Sequence, residues 1–420
     1  MKYDIRIGTR EETLDTKDTH CVTMLAPDDM PEHPDEEAAV REALQSPIGT
    51  KRLKEMVKPG ESIVIVTSDI TRPCPSWKIL PPLLDELHEA GVRNEDITVL
   101  FGRGSHRNQT EEEKRHLVSD EIYDRIRCED SDFENTVHLG VTSRGTPVDL
   151  DRRYAEADFR ILLGNVEYHY FAGYSGGAKA VMPGMSVPAA IQSNHRFMTD
   201  PAACAGKLKG NPVRADIEEA ASFCPGDFIV NVVLNAHKEI VYAACGDMTA
   251  AHRDACAYLD RFYRRPIDER ADIVVVSQGG APKDLNLYQT QKALDNAKYA
   301  VRDGGTIIVC GSCKEGFGNA RFEEWMTGYD NGKQMTEDIR KHFILGAHKA
   351  AAIGAVSMHA DIMLVSDMEP ETVKKTILKY APSLQEAYEK ASAKYPADAS
   401  VIIMPYGGST LPCMKETGNE

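Results

Sequence analysis

Eight short runs of β-branched and aliphatic residues recur along this chain, and they limit its possible folds more than any other feature. They are Ser62–Ser68, Ile97–Phe101, Phe159–Leu163, Ile229–Asn235, Ile273–Ser277, Thr306–Cys310, Asp361–Ser366 and Ser400–Pro405. Each is almost continuously apolar rather than alternating, the pattern of a strand covered on both faces. Helical stretches lie between them. Leu80–Ala90 opens at a proline pair and closes at Gly91, and Glu111–Val118 and Leu287–Val301 follow. Alternation of strand and helix predicts an α/β fold with largely parallel sheets flanked by helices.

A chain of 420 residues exceeds one typical domain. The charged, proline-containing run Tyr263–Arg270 precedes a fresh strand, so the expected division is an N-terminal α/β domain over 1–268 and a C-terminal one over 269–420. The net charge of −16 argues against nucleic-acid backbones and anionic membranes as partners. It leaves room for a small anion held by a few local cations. No segment approaches the ~18 apolar residues of a membrane span. Met1–Gly8 reads as a strand and not as a secretory signal. These features, with ten scattered cysteines, suggest a cytoplasmic protein with free thiols.

Polar clusters stand directly after the strands, where open parallel sheets bind ligands. Ser68-Asp69-Ile70-Thr71-Arg72-Pro73 places a carboxylate, hydroxyls and a guanidinium at one sheet edge. It reads either as an anion site with Arg72 in bidentate contact or as a loop held by an Asx-turn and an internal Asp–Arg pair. Gly102-Arg103-Gly104-Ser105-His106-Arg107 starts like a dinucleotide fingerprint, but Arg107 fills the third glycine position. What remains is a loop presenting His106. Thr110 and Glu113 then form a capping box.

Glu167–Ala180 is the densest cluster. Gly176 and Gly177 could form an anion nest, and Lys179 just inside it reads as a phosphate counter-ion or a covalent attachment point. His195 lies near the end of a helix expected over Val187–Met198, with Ser186 as its cap. His106, His169 and His195 lack the spacing of a zinc motif. After the fifth strand, Gly279-Gly280 leads to a helix capped by Asn286 or Asp284. There Tyr288, Gln289 and Lys292 share a face, which reads as polar groups reaching into a cleft between domains. Cys310 and Cys313 read as packing and turn residues.

Ser68–Pro73, Gly102–Arg107, His169–Gly184, His195 and Gly279–Leu294 together resemble the nickel-pincer-nucleotide-dependent lactate racemase family, in order and spacing and over most of the chain. The resemblance implies two α/β domains enclosing a site in the interdomain cleft. The implied cofactors are nickel and a pyridinium-3-thioamide-5-thiocarboxylic acid mononucleotide. Lys179 matches its attachment lysine, His195 the nickel ligand, and His106 and His169 the paired acid/base histidines. Arg72, Gln289 and Lys292 match residues that hold the substrate. Asp69, Thr71, Ser175, Gly176 and Gly177 are implied to surround the cofactor. The implied activity is inversion of an α-hydroxyacid at C2, with cofactor-assembly and insertion proteins as partners. Two other classes stay open on the residues alone: a zinc hydrolase built on the three histidines, and a non-enzymatic binding module for a small anion or nucleotide.

Overall fold

The computed structural model describes residues 1–235 and 237–415. Backbone contacts divide the chain into two units, one over Asp29–Arg261 and the other made of Met1–Asp28 and Phe262–Glu420. All eight apolar runs are strands.

In the Asp29–Arg261 unit, six strands lie in the order Ile240–Gly246, Phe228–Leu234, Phe159–Asn165, Ile63–Ser68, Ile97–Gly102, Arg127–Asp130. Only the first pair is antiparallel; the other neighbours run parallel. The two central strands, Ile63–Ser68 and Phe159–Asn165, are buried nearly throughout. The Ser76–Glu89 helix begins earlier than its proline pair suggested and carries Pro81 and Pro82 inside it. Its Ile79, Leu80, Leu83 and Leu87 pack with Ile63, Ile65, Val99 and Ile161 of the sheet.

The second unit holds a wholly parallel six-stranded sheet in the order Lys379–Ala381, Ala360–Val365, Val301–Cys310, Ala271–Ser277, Ser400–Met404, Cys21–Met24. Successive side chains point to opposite faces. Val274, Val276, Ile307 and Val309 join one core with the Leu287–Ala297 helix. Ile273, Val275, Ile308 and Cys310 join another, covered by Ile5, Ile7 and Leu14. Those three belong to the antiparallel hairpin Lys2–Ile7/Arg10–Asp15.

The N-terminal residues therefore depart from the expected 1–268 domain. Cys21–Met24 adds an edge strand beside Ser400–Met404, and the hairpin buries apolar side chains on the same sheet. The reason is long-range pairing, which leaves no local mark in the sequence. The chain also divides slightly before the expected break, between Arg261 and Phe262. Cys310 and Cys313 are buried, Cys313 beside the Thr290 hydroxyl at 3.6 Å. Among the described residues, no helix is long and apolar enough to cross a membrane.

Candidate active site

The first strand-end loop is an Asx-turn. Asp69, only 3% exposed, accepts the Thr71 N–H at 2.8 Å and the Thr71 hydroxyl at 2.5 Å on Oδ1. Its other oxygen meets His106 Nδ1 at 2.6 Å. Burial alone would raise the Asp69 pKa, but the hydrogen bonds from His106 and Thr71 outweigh it and hold the carboxyl below its ordinary range. The internal Asp–Arg pair is therefore not the one formed: Asp69 turns to His106, and Arg72 stays exposed. Asp69 and Thr71, implied as cofactor neighbours, spend these polar atoms on the His106 side of the site.

The His106 loop is fastened from several directions. Arg103 donates to Ser131 O at 3.0 Å and to His106 O at 3.2 Å, and its guanidinium lies 4.2 Å over the Phe133 ring. Gln109 accepts the Ile70 N–H at 2.8 Å and donates to Asp130 at 3.1 Å, which ties two strand-end loops to the next strand. Arg107 makes a forked pair with Glu113 at 2.8 and 2.6 Å. Thr110 and Glu113 complete the expected capping box of the Glu111–Val118 helix.

His169 lies on a two-residue hairpin, Tyr168–His169 against Gly173–Tyr174. Its Nδ1 accepts the Ala172 N–H at 3.2 Å. Phe171 packs edge-on to both His169 (4.5 Å) and His195 (4.9 Å), a bridge no sequence motif signalled. Burial first, then the positive charges of Lys179, Arg72, His195 and Arg214, push the His169 pKa well below the usual histidine range. These groups thus act electrostatically on one imidazole although they are scattered over almost 150 residues of sequence.

Lys179 stands in the short helical turn Gly177–Ala180. Burial, then the charges of Arg72 and Arg214, push its amine well below the ordinary lysine range, against the opposing pull of Glu167. A lysine whose ammonium form is disfavoured in this way is a candidate nucleophile as well as a counter-ion. His195 is the last residue of the Pro188–His195 helix. Ser186 does not cap that helix; its hydroxyl donates to Val181 O at 3.0 Å, and Val187 occupies the cap position.

The proposed anion nest is packed from within. Gly177 donates its N–H to Asn231 Oδ1 at 3.0 Å. Both glycines have positive φ (70° and 62°), and a Cβ would meet Asn231 at 2.7 Å from Gly176 or the His252 ring at 2.7 Å from Gly177. The Ser175 hydroxyl donates to Asn165 O at 2.7 Å and accepts the Glu167 N–H at 2.9 Å. His252 Nε2 donates to Ser175 O at 2.8 Å. Ser175, Gly176 and Gly177 therefore shape the lysine turn, and the Ser175 hydroxyl and the Gly177 N–H are engaged by the chain itself.

In the second unit, Asn286 caps the Leu287–Ala297 helix by accepting the Gln289 N–H at 3.0 Å. Asp284 is fully buried and accepts the N–H groups of Gly8 (2.7 Å) and Ser312 (3.0 Å). Gln289 and Lys292 are exposed on that helix. Tyr288 instead turns inward, edge-on to Phe322 at 5.5 Å and under the Lys349 ammonium at 4.0 Å. The shared polar face therefore reduces to Gln289 and Lys292, because Tyr288 packs against the core. The turn at Gly407–Ser409 packs on this helix, with Asn296 donating to Gly407 O at 2.8 Å.

Sequence reasoning missed four supporting residues. Asp260 accepts the hydroxyls of Tyr168 (2.8 Å) and Tyr174 (2.7 Å), and Asn211, Arg214 and His252 pack around the same hairpin and turn. Among the described residues, no three His, Cys, Asp or Glu side chains are assembled to hold a metal, so the zinc-hydrolase reading finds no ligand set.

Two units, each built on a largely parallel sheet with helices and with polar loops after its strands, define an α/β protein of two domains. Comparison with known proteins places it further. A family model described as the lactate racemase N-terminal domain matches residues 7–206, and one described as the lactate racemase C-terminal domain matches residues 267–411. The chain belongs to the lactate racemase family and is an isomerase, a racemase. It is 31% identical to the lactate racemase of Thermoanaerobacterium thermosaccharolyticum over 90% of both chains. It is 32% identical to that of Lactiplantibacillus plantarum over 89% of this chain and 90% of the relative. The solved lactate racemase apoprotein of T. thermosaccharolyticum superposes with a TM-score of 0.90 at 30% identity, covering 98% of this chain and all of that one. A protein of Thermotoga maritima shares the fold at a TM-score of 0.63 and 19% identity, over 92% of this chain and all of that one.

Proposed function

We propose that the chain inverts the C2 centre of a small α-hydroxyacid, with His106 and His169 as the acid/base pair. The observation that carries this reading is the 2.6 Å contact between His106 Nδ1 and the buried Asp69 carboxylate. A carboxylate on Nδ1 fixes the imidazole proton there and leaves the Nε2 lone pair for a substrate hydroxyl. His169 is set differently: with the Ala172 N–H on Nδ1, its neutral form carries the proton at Nε2. A planar ketoacid can take back hydrogen on either face, so proton traffic at its oxygen needs a group on each side. Arg72, Gln289 and Lys292 are assigned to the substrate carboxylate and carbonyl, with Tyr288 supporting them from the core side.

The cofactor of this reading is a nickel-pincer pyridinium mononucleotide joined to Lys179, with His195 completing the nickel coordination. The residues fit such a group: Lys179, in the turn Gly177–Ala180, is a primary amine whose ammonium form is disfavoured by desolvation and by the charges of Arg72 and Arg214, and an amine so tuned can be acylated. When bound, the group supplies a hydride acceptor, which no side chain can provide. Accessory proteins would assemble and insert it in the cytoplasm.

The test is a panel of α-hydroxyacids offered to cofactor-loaded enzyme and read by chiral analysis. Lactate, longer or acidic hydroxyacids and sugar acids belong in it. Interconversion of the enantiomers of at least one is expected; failure with all of them would overturn the reading.

A further inference from the structure

His169 sits on a hairpin with only two residues in each strand, too short to hold its own geometry. Its turn is gripped instead by the start of the Pro212–Ser222 helix. Asn211, the cap residue, donates through Nδ2 to Phe171 O at 2.9 Å and to Lys207 O at 3.1 Å, while its Oδ1 accepts the Arg214 N–H at 3.1 Å. Arg214 donates through Nε to Ala172 O at 3.0 Å and through Nη2 to Tyr174 O. Three carbonyls of the turn, at 171, 172 and 174, are therefore held by one helix end. The peptide whose oxygen Asn211 takes is the one whose N–H, on Ala172, reaches His169 Nδ1.

Arg214 is fully buried, and the nearest carboxylate oxygen paired with it, on Glu218, is 3.9 Å from Nε. Nη1 has no hydrogen-bond partner among the described residues. Burying a guanidinium on so weak a pairing is unfavourable unless its geometry serves something else. The rigid fork, able to bind carbonyls on both sides of Gly173 at once, is what a lysine or glutamine cannot reproduce. Gly173 itself has φ of 79°, and a Cβ there would run into Lys207 O, so the turn has little freedom to adjust.

We propose that Arg214 and Asn211 are positioning residues of the site: they mount the Phe171–Ala172 peptide so that its N–H holds Nδ1 of His169 and leaves the proton on Nε2. The role assigned to His169 rests on the reading above; the mount itself does not.

The test uses cofactor-free, full-length chain labelled with ¹⁵N-histidine, with the His169 signals assigned by their loss in His169→Gln. In the wild type, Nδ1 should be unprotonated and Nε2 protonated. In Arg214→Gln and in Asn211→Ser, which keeps a capping oxygen, the two tautomers should mix, with the His106 signals unmoved and melting still cooperative. Arg214→Lys should restore the wild-type pattern in part. In loaded enzyme the same variants should lose at least tenfold in kcat with KM within about twofold. Folded variants with an unchanged His169 tautomer would overturn the proposal. So would loss of folding in Asn211→Ser as well as Arg214→Gln, which would make both residues plain structural supports. Tautomer mixing together with a loaded wild type that inverts no hydroxyacid would leave the mount standing and remove the racemase chemistry.

Discussion

Asp69 and His106 form the most informative pair in the molecule, since one buried carboxylate both closes a turn and selects an imidazole tautomer. Replacing Asp69 by Asn keeps the shape and removes the charge, so kcat should fall by ~10²–10⁴, with KM nearly unchanged. His106→Ala should abolish turnover yet keep the cofactor, seen as retained adduct mass on Lys179. Lys179→Ala and His195→Ala should fail differently, by losing the adduct or the nickel, read by mass spectrometry and metal analysis. Equal nickel and full activity in all three would remove the assigned roles. A further expectation concerns the C2 hydrogen. Deuterium at that carbon should survive inversion in ordinary water, with a primary isotope effect on rate, because a hydride transferred between carbons does not exchange with solvent. A proton parked on histidine would be lost to water, so label loss at the pace of inversion would point to two-base carbanion chemistry.

At the scale of elements, the site depends on short turns whose shape comes from close approaches. Gly173 and Gly60 separate the two costs of replacing glycine. Both have positive φ, 79° and 83°, but a Cβ at Gly60 meets nothing within 4 Å whereas one at Gly173 meets the Lys207 backbone. Gly60→Ala should destabilise by about 1 kcal/mol, from backbone strain alone. Gly173→Ala should cost roughly 1–3 kcal/mol more through overpacking, and should lower activity beyond its effect on stability. Urea unfolding of the two variants, with kcat measured well below the transition, checks both statements. A Gly173→Ala protein as stable and as active as Gly60→Ala would mean that the hairpin gives way easily.

For the whole molecule, two properties follow from how distant segments are buried. The hairpin Lys2–Asp15 supplies Ile5, Ile7 and Leu14, each fully buried against the sheet of the second unit. At ~1.5–3 kcal/mol for each such side chain, deleting residues 1–28 should cost at least about 4 kcal/mol and expose a strand edge. Loss of solubility or a large fall in the urea midpoint is the expected result. Acid sensitivity is the second property. Burial holds His348 down to about 3 and His169 and His252 well below the ordinary range. In the unfolded chain these groups bind protons below about 6.5, while in the folded chain they stay neutral. Stability is therefore complete above about 6.5 and falls as the pH drops toward the folded values, by ~1.4 kcal/mol per pH unit for each histidine. A urea midpoint that stays flat between pH 6.5 and 4.5 would show that these imidazoles are solvated.

The sequence alone carried the strands, the α/β class, the capping box at Thr110–Glu113, the Asn286 cap and the segments that hold His106, His169, Lys179 and His195. Those features are local, because apolar runs, cap residues and glycine turns act within a few residues of themselves. The family was legible for the same reason, since its motifs are contiguous. Only the tertiary structure decided that the first 28 residues join the second unit, that Asp69 faces His106 rather than Arg72, that Tyr288 packs inward, and that Gly176 and Gly177 make room for Asn231 and His252. The same holds for Asn211, Arg214 and Asp260, which grip the His169 hairpin from helices far along the chain. Each of these depends on which distant groups burial brings within hydrogen-bond reach, and desolvation disfavours the charged forms of Lys179 and His169 only once that has happened.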